Sequence, residues 1–239
     1  AYAADGTTEI GTYSIDPATG QVTFTPTDKS YTGKVTPVKV QAESSNGIKV
    51  DTTYTPEIVP VTPTATPAET TDIQGATQTG KPEFKGGTVT VDGVEKTVAI
   101  NENVPATFED GSTTKTVEGV GTYTVAADGT VTFVPEKSFV GTAPAVTVVR
   151  EDKNGTKASA TYTPTVLPVT PEATPAETKD IQGATQTGKP VFTEGDSRVP
   201  MNDDVAATFD DGSTSKTVDG VGTYTVAPDG TVTFVPEPS

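Results

Sequence analysis

The chain has 239 residues, enough for two domains of ordinary size, and carries a net charge of −16 from 32 acidic and 16 basic residues. That balance argues against a nucleic-acid partner, and the lack of Cys and His removes disulfides, thiol chemistry, the usual nucleophilic triads and zinc or haem sites on those ligands. No apolar run reaches the roughly 20 residues of a membrane span, and scarce aromatics with abundant Thr, Gly and Pro favour strands and turns over helices.

The first patterned stretch in chain order is GTYSIDPATGQVTFTP, beginning at Gly11. Next, Val38 and Val40 share a face, Asn46-Gly47 supplies a tight turn, and Ile48, Val50 and Tyr54 return. Asn-Gly between alternating runs predicts a β-hairpin, because both residues tolerate positive φ. From Tyr54 to Pro67 a proline stands at every third or fourth position. Such a stretch lacks donors and is biased to an extended form, either a solvated linker or a semi-rigid spacer.

Residues 88–91, the turn Asp92-Gly93 and residues 94–100 predict a further hairpin, and residues 106–108 a short strand. Gly121–Val125 alternates, with Tyr123 and Val125 on one face. After Asp128-Gly129 the run 130–134 puts Val131 and Phe133 on one face, which makes another hairpin. A last pair has Val146 and Val148 facing one way, a turn at Asn154-Gly155, and Ala158, Ala160 and Tyr162 on the returning face. A second Pro-rich run then starts at Tyr162.

The chain repeats itself. Residues 61–84 match residues 169–192 at 21 of 24 positions, 108 residues apart, and residues 106–136 match 207–237 at 27 of 31 positions, 101 apart. The seven-residue difference falls between Phe84 and Phe108. Core strands cannot absorb such a change, since a slip of one residue turns every side chain to the wrong face. Residues 87–103 are therefore expected at the surface, away from the main core.

A period near 100 residues is long enough for self-contained domains rather than solenoid layers. About seven short strands with one apolar face each predict an all-β fold: tandem immunoglobulin-like β-sandwich repeats of about 100 residues joined by Pro-rich linkers. With the Pro-rich stretches as borders, residues 1–71 are the C-terminal part of one repeat and 72–171 a complete one. Residues 172–239 are then a linker and the N-terminal part of the next. A half-sandwich exposes its core face, so each partial unit needs a partner or a different phase.

The combination of QTGKPxF, GVGTYTVxxDGTVTFVP, the Asn-Gly hairpin, YTPxxxPVTP and ATPAET resembles the CshA-type fibril repeats of streptococcal, cell-wall-anchored surface adhesins, over essentially the whole chain. The resemblance implies Gram-positive secretion, and repeats that form a stalk projecting a distal binding region from the cell wall. It also implies that the chain is an internal piece of a longer protein. The expected partners are neighbouring repeats of the same chain, with host or bacterial surface ligands engaged through other regions; no nucleic acid, membrane or cofactor is expected. The competing reading is that each repeat itself adheres to a host glycan or protein.

No catalytic, cofactor-binding or metal-binding residue is assigned. The acidic pairs Glu109-Asp110, Glu151-Asp152, Asp203-Asp204 and Asp210-Asp211 suit turns. In a strand, neighbouring carboxylates point to opposite faces and cannot form one clamp. Calcium takes roughly 6–8 oxygen ligands, and no D-x-[DN]-x-[DN]-G loop is present. Lys81, Lys189, Lys115 and Lys216 recur in equivalent places. Each is either a surface charge or, if buried beside Asn or Asp with an acidic neighbour, a candidate for an isopeptide crosslink.

Overall fold

The computed structural model describes residues 1–238, and no helix occurs among the described residues. The chain forms two compact units: Ala1–Asp72 with Ala76–Val166, and Ile73–Gly75 with the chain from Leu167.

The first unit contains a complete two-sheet sandwich. One sheet runs in the order Thr114–Val117, Gly121–Val125, Val131–Pro135, Gln78–Gly80. The other runs Thr107–Phe108, Val146–Glu151, Lys157–Leu167, Gly141–Thr142, with Ala68–Ile73 also paired to Lys157–Leu167. The hairpin expected from alternation pairs Tyr123 with Phe133 and Val125 with Val131, and the Asn-Gly hairpin pairs Val146 with Tyr162 and Val148 with Ala160. Their inward side chains meet in one core of Phe108, Tyr123, Val125, Val131, Phe133, Val146, Val148, Tyr162 and Val166. Burial of each large apolar side chain contributes about 1.5–3 kcal/mol. The two buried tyrosines keep their hydroxyls bonded, Tyr123 to the Pro144 carbonyl at 2.6 Å and Tyr162 to Thr70 Oγ1 at 2.7 Å.

The Pro-rich run after Tyr162 does not begin as a linker. Tyr162, Pro164 and Val166 are all buried, and the strand continues to Leu167. The alternation simply carries on through the proline. Pro164 accepts from the Ala143 amide at 2.9 Å, and the donor it lacks falls where the short partner strand Gly141–Thr142 ends, a place where a strand tolerates proline. The earlier Pro-rich run likewise contributes a strand, Thr64–Thr66, which pairs with Glu83–Lys85.

The length-variable segment forms its own hairpin, Gly87–Val91 with Val94–Val98, and joins neither sheet. Its two-residue loop has φ of 50° at Asp92 and 76° at Gly93, the pair of positive values that suits the twist of a tight hairpin. Its strand side chains are exposed or half-exposed, as expected of a surface segment. Its base is fastened: Ile100 is buried and bridges to Asp152, and the Lys153 amide donates to the Ala99 carbonyl at 2.9 Å.

Residues 1–58 hold a smaller core of Ala3, Ile10 and Val35, with Tyr13, Phe24, Tyr31 and Ile58 against it. Two hairpins, Gly11–Ile15 with Val22–Pro26 and Val38–Glu43 with Lys49–Tyr54, are linked by Tyr13, whose ring lies 5.7 Å from Phe24 and 6.2 Å from Tyr54.

The second unit has one four-stranded sheet, in the order Gln186–Gly188, Val232–Pro236, Gly222–Val226, Ser215–Val218, and the short pair Glu172–Thr174 with Val191–Thr193. Among the described residues it has no counterpart of strands Gly141–Thr142, Val146–Glu151 and Lys157–Leu167. Within this unit the Gln74 amide donates to the Leu167 carbonyl at 2.8 Å, and the Val169 amide to Gln74 Oε1 at 3.3 Å.

Candidate functional site

A polar concavity lies at one corner of the two-sheet sandwich, where Lys81, Glu83, Phe84, Glu102, Asp128 and Arg150 line a cleft of about 490 Å³. Lys81 Nζ donates to Asp128 Oδ2 at 3.0 Å, and both side chains are more than half exposed. Asp128 also accepts from the Thr130 amide, and that bond followed by the Lys81 ammonium holds its carboxyl well below the usual carboxylate range. Arg150 is buried, and its Nη2 donates to the exposed Glu102 at 2.9 Å, while its Nε has no partner. The ion pair is half in water, so its contribution to stability is small.

Arg150 is not among the residues that motifs mark in the sequence, although a signal for it is present. The two-residue alternation that turns Val146 and Val148 inward, carried two steps further, turns Arg150 and Asp152 inward as well. Asp152 is fully buried and its Oδ1 accepts from the Asn154 and Thr156 amides, both at 2.9 Å, which pins the Asn-Gly turn.

The same corner recurs in the second unit. There Lys189, Phe192, Met201, Asp203, Val205 and Asp229 line a cleft of about 920 Å³. Lys189 bonds Asp229 at 3.0 Å, and the Thr231 amide and that lysine hold Asp229 down to about 2.

The other acidic pairs serve turns. Asp110 Oδ1 accepts from the Ser112 amide at 2.9 Å and hydroxyl at 2.6 Å, and Asp211 accepts from the Ser213 amide at 2.9 Å. Among the described residues no three acidic side chains converge as metal ligands. Lys81 and Lys189 sit in exposed ion pairs, and Lys216 lies 3.7 Å from Asp210 with half its side chain exposed. Lys115 is exposed on the edge strand Thr114–Val117. None has the burial that side-chain crosslinking requires.

The aromatic residues of the two-sheet sandwich lie in or against its core: Phe108, Tyr123, Phe133 and Tyr162 are buried, and Phe84 and Phe139 pack against them. They form no exposed platform. In the second unit the matching face, Tyr224, Val226, Val232 and Phe234, is only half-covered.

A family model described as the surface adhesin CshA repetitive domain matches residues 4–58, 60–166 and 168–239. The NMR structure of repeat domain 13 of the fibrillar adhesin CshA from Streptococcus gordonii is 61% identical, over 28% of this chain and 86% of that one, with a TM-score of 0.18. The PcdhgB3 EC1-4 structure is 11% identical, over 96% of this chain and 55% of that one, at a TM-score of 0.32. The human desmocollin-1 ectodomain is 13% identical, over 96% of this chain and 43% of that one, at 0.25. No curated protein matches. With three consecutive matches along its length, the chain belongs to the family of surface adhesin CshA repetitive domains.

Proposed function

We propose that these repeats are the structural stalk of a bacterial surface fibril, holding a distal binding region away from a cell wall to which the parent protein is anchored. Family membership gives the coarser statement, that the chain consists of surface adhesin repeats found outside the cell. The stalk reading rests on one observation above the others: the aromatic side chains of the complete repeat are consumed by its core. Recognition of a glycan or protein ordinarily uses exposed aromatic or charged anchors. The surface here is mostly Thr, turn residues and scattered acids, which keep neighbouring fibrils soluble and apart. No group arrangement supports catalysis, and the repeats act as non-enzymatic spacers.

We further propose that the repeat borders fall at the Pro-rich stretches, with one complete and two partial repeats in this chain. Proline recurs there at every third or fourth position, which biases the chain to the extended form that suits a spacer.

The test is direct binding. The chain is immobilised and presented to matrix proteins, a glycan panel and partner bacterial cells. A stalk gives no saturable signal above an unrelated acidic protein. Saturable binding that soluble chain competes away would make the repeats adhesive and overturn the stalk reading.

A further inference from the structure

We propose that Asn46-Gly47 is a site of self-modification, at which the main-chain nitrogen of Gly47, assisted by the Ser44 hydroxyl, closes on the Asn46 side chain and converts it to Asp or isoaspartate. The inference goes beyond the stalk reading and stands whether or not the repeats also adhere.

Ring closure needs a main-chain nitrogen that can approach the side-chain carbonyl of the residue before it. Glycine hinders that approach least, since it carries no Cβ beside the attacking atom. Of the five asparagines in the chain, only Asn46 and Asn154 precede glycine. Both stand in hairpin turns of the same form, Ser44 to Ile48 in one and Asp152 to Thr156 in the other. Each glycine has positive φ, 82° at Gly47 and 80° at Gly155, and its amide donates to the carbonyl of the first turn residue at 2.9 Å. Even in the complete repeat Asn154 is half-exposed, so water reaches this turn in either setting.

The two turns differ in their first residue. Ser44 has one hydroxyl proton to give, and its Oγ donates to Asn46 Oδ1, with the Ile48 carbonyl at 3.1 Å as the other acceptor. The same Oγ accepts from the Ile48 amide at 3.2 Å. A donor on Oδ1 draws electrons from Cγ and stabilises the negative oxygen that forms when a nucleophile adds there. Asp152 offers no such donor, because a carboxylate only accepts. It is buried, and its Oδ1 takes the Asn154 and Thr156 amides at 2.9 Å each, which fixes the turn backbone instead.

The chemistry balances with water as the one co-reactant. The Gly47 amide leaves the Ser44 carbonyl, a local opening of the turn, and its nitrogen bonds to Asn46 Cγ. The Cγ–Nδ2 bond breaks, the displaced proton leaves with it as ammonia, and a five-membered succinimide remains. Water then opens the ring. Cleavage of the Gly47 nitrogen from Cγ gives Asp; cleavage from the main-chain carbonyl carbon gives isoaspartate. Either product adds one negative charge between the strands Val38–Glu43 and Lys49–Tyr54, and isoaspartate also lengthens the turn by one backbone carbon. Outside the cell nothing restores the amide, so the product accumulates with age.

The test holds the full chain in mildly alkaline buffer at body temperature for several weeks. Peptides around Asn46 and Asn154 are then resolved into Asn, Asp and isoaspartate forms by chromatography and mass spectrometry. The Asn46 peptide is expected to gain both acids, at least about tenfold faster than the Asn154 peptide. Ser44→Thr keeps the hydroxyl and should keep the rate. Ser44→Asp, which copies the Asp152 arrangement, should slow conversion about tenfold, and Ser44→Ala by a smaller factor. Circular dichroism checks that each variant is folded. An amide that survives at Asn46 overturns the proposal. Equal rates at Asn46 and Asn154, or an Asn46 rate that neither Ser44→Asp nor Ser44→Ala lowers, would leave glycine alone in control and overturn it equally.

Discussion

Residues 106–136 and 207–237 differ at four positions, all conservative or in loops, and share a three-stranded meander with the same register, although only the first copy also has the short strand Thr107–Phe108. Tyr123 and Phe133 stack at 4.7 Å between ring centroids; Tyr224 and Phe234 stack at 4.6 Å. Yet the first pair is fully buried and the second is not. Strand, turn and cross-strand pairing are thus properties of the local sequence. Burial belongs to the partner sheet, which one copy has and the other lacks. Most of the hydrophobic stabilisation, which scales with area removed from water, is therefore concentrated in the complete repeat.

The widest gap between the two copies should come from truncating the stacked phenylalanine. Phe133→Ala is expected to cost about 3–5 kcal/mol, because it leaves a cavity in a closed core. Phe234→Ala should cost less, about 1–2 kcal/mol, since its side chain is only half-buried and leaves no closed cavity. Hydrogen exchange of the two hairpins, read separately by NMR, measures both. Equal losses would break the comparison, showing the open sheet to be as well packed as the closed one.

A smaller effect is expected at alkaline pH. Burial pushes the Tyr123 hydroxyl up to about 12 from an ordinary value of 10. The folded state therefore holds this proton more tightly than the unfolded chain does. Its contribution is whole below pH 10 and is lost as pH rises from about 10 to about 12, a loss of about 2 kcal/mol. Denaturant unfolding across that window should show the fall, and Tyr123→Phe should make it shallower. An unchanged slope in that variant would move the alkaline weakness to other groups.

The smallest change should follow excision of the hairpin tip. Replacing residues 88–97 by a short Gly-Ser turn, with Ile100 kept, should leave the complete repeat folded and shift its stability by less than about 1 kcal/mol. Thermal unfolding followed by circular dichroism reads the shift. Global unfolding would show that this hairpin, absent from the shorter second copy, carries core strands after all.

Much of this fold was legible in the sequence, and the legible part has a common cause. The hairpins at Asp92-Gly93 and Asn154-Gly155 announce themselves through turn residues that tolerate positive φ and through a two-residue alternation on either side. The edge strands Gln78–Gly80, Thr114–Val117 and Gly141–Thr142 are too short and too polar to alternate visibly. In sequence the strand through Pro164 resembles a linker because proline usually ends a ladder; only the end of its partner strand shows why it is tolerated. At the corner site, Lys81 and its twin Lys189 stand out as recurring letters, whereas the buried Arg150 is a charged residue on an otherwise apolar strand face and carries no motif.

The sequence by itself determined the central hairpin strands, their turns, the register within each hairpin and the family, because all of these are written in neighbouring residues and their repetition. The tertiary structure alone decided which apolar faces are dry and why Gly80 must be a glycine. Those outcomes depend on residues far apart in the chain, such as Thr70 and Tyr162, 92 positions from one another. No local pattern states whether the partner of a face is present. Water leaves an apolar sheet only when another sheet arrives to replace it.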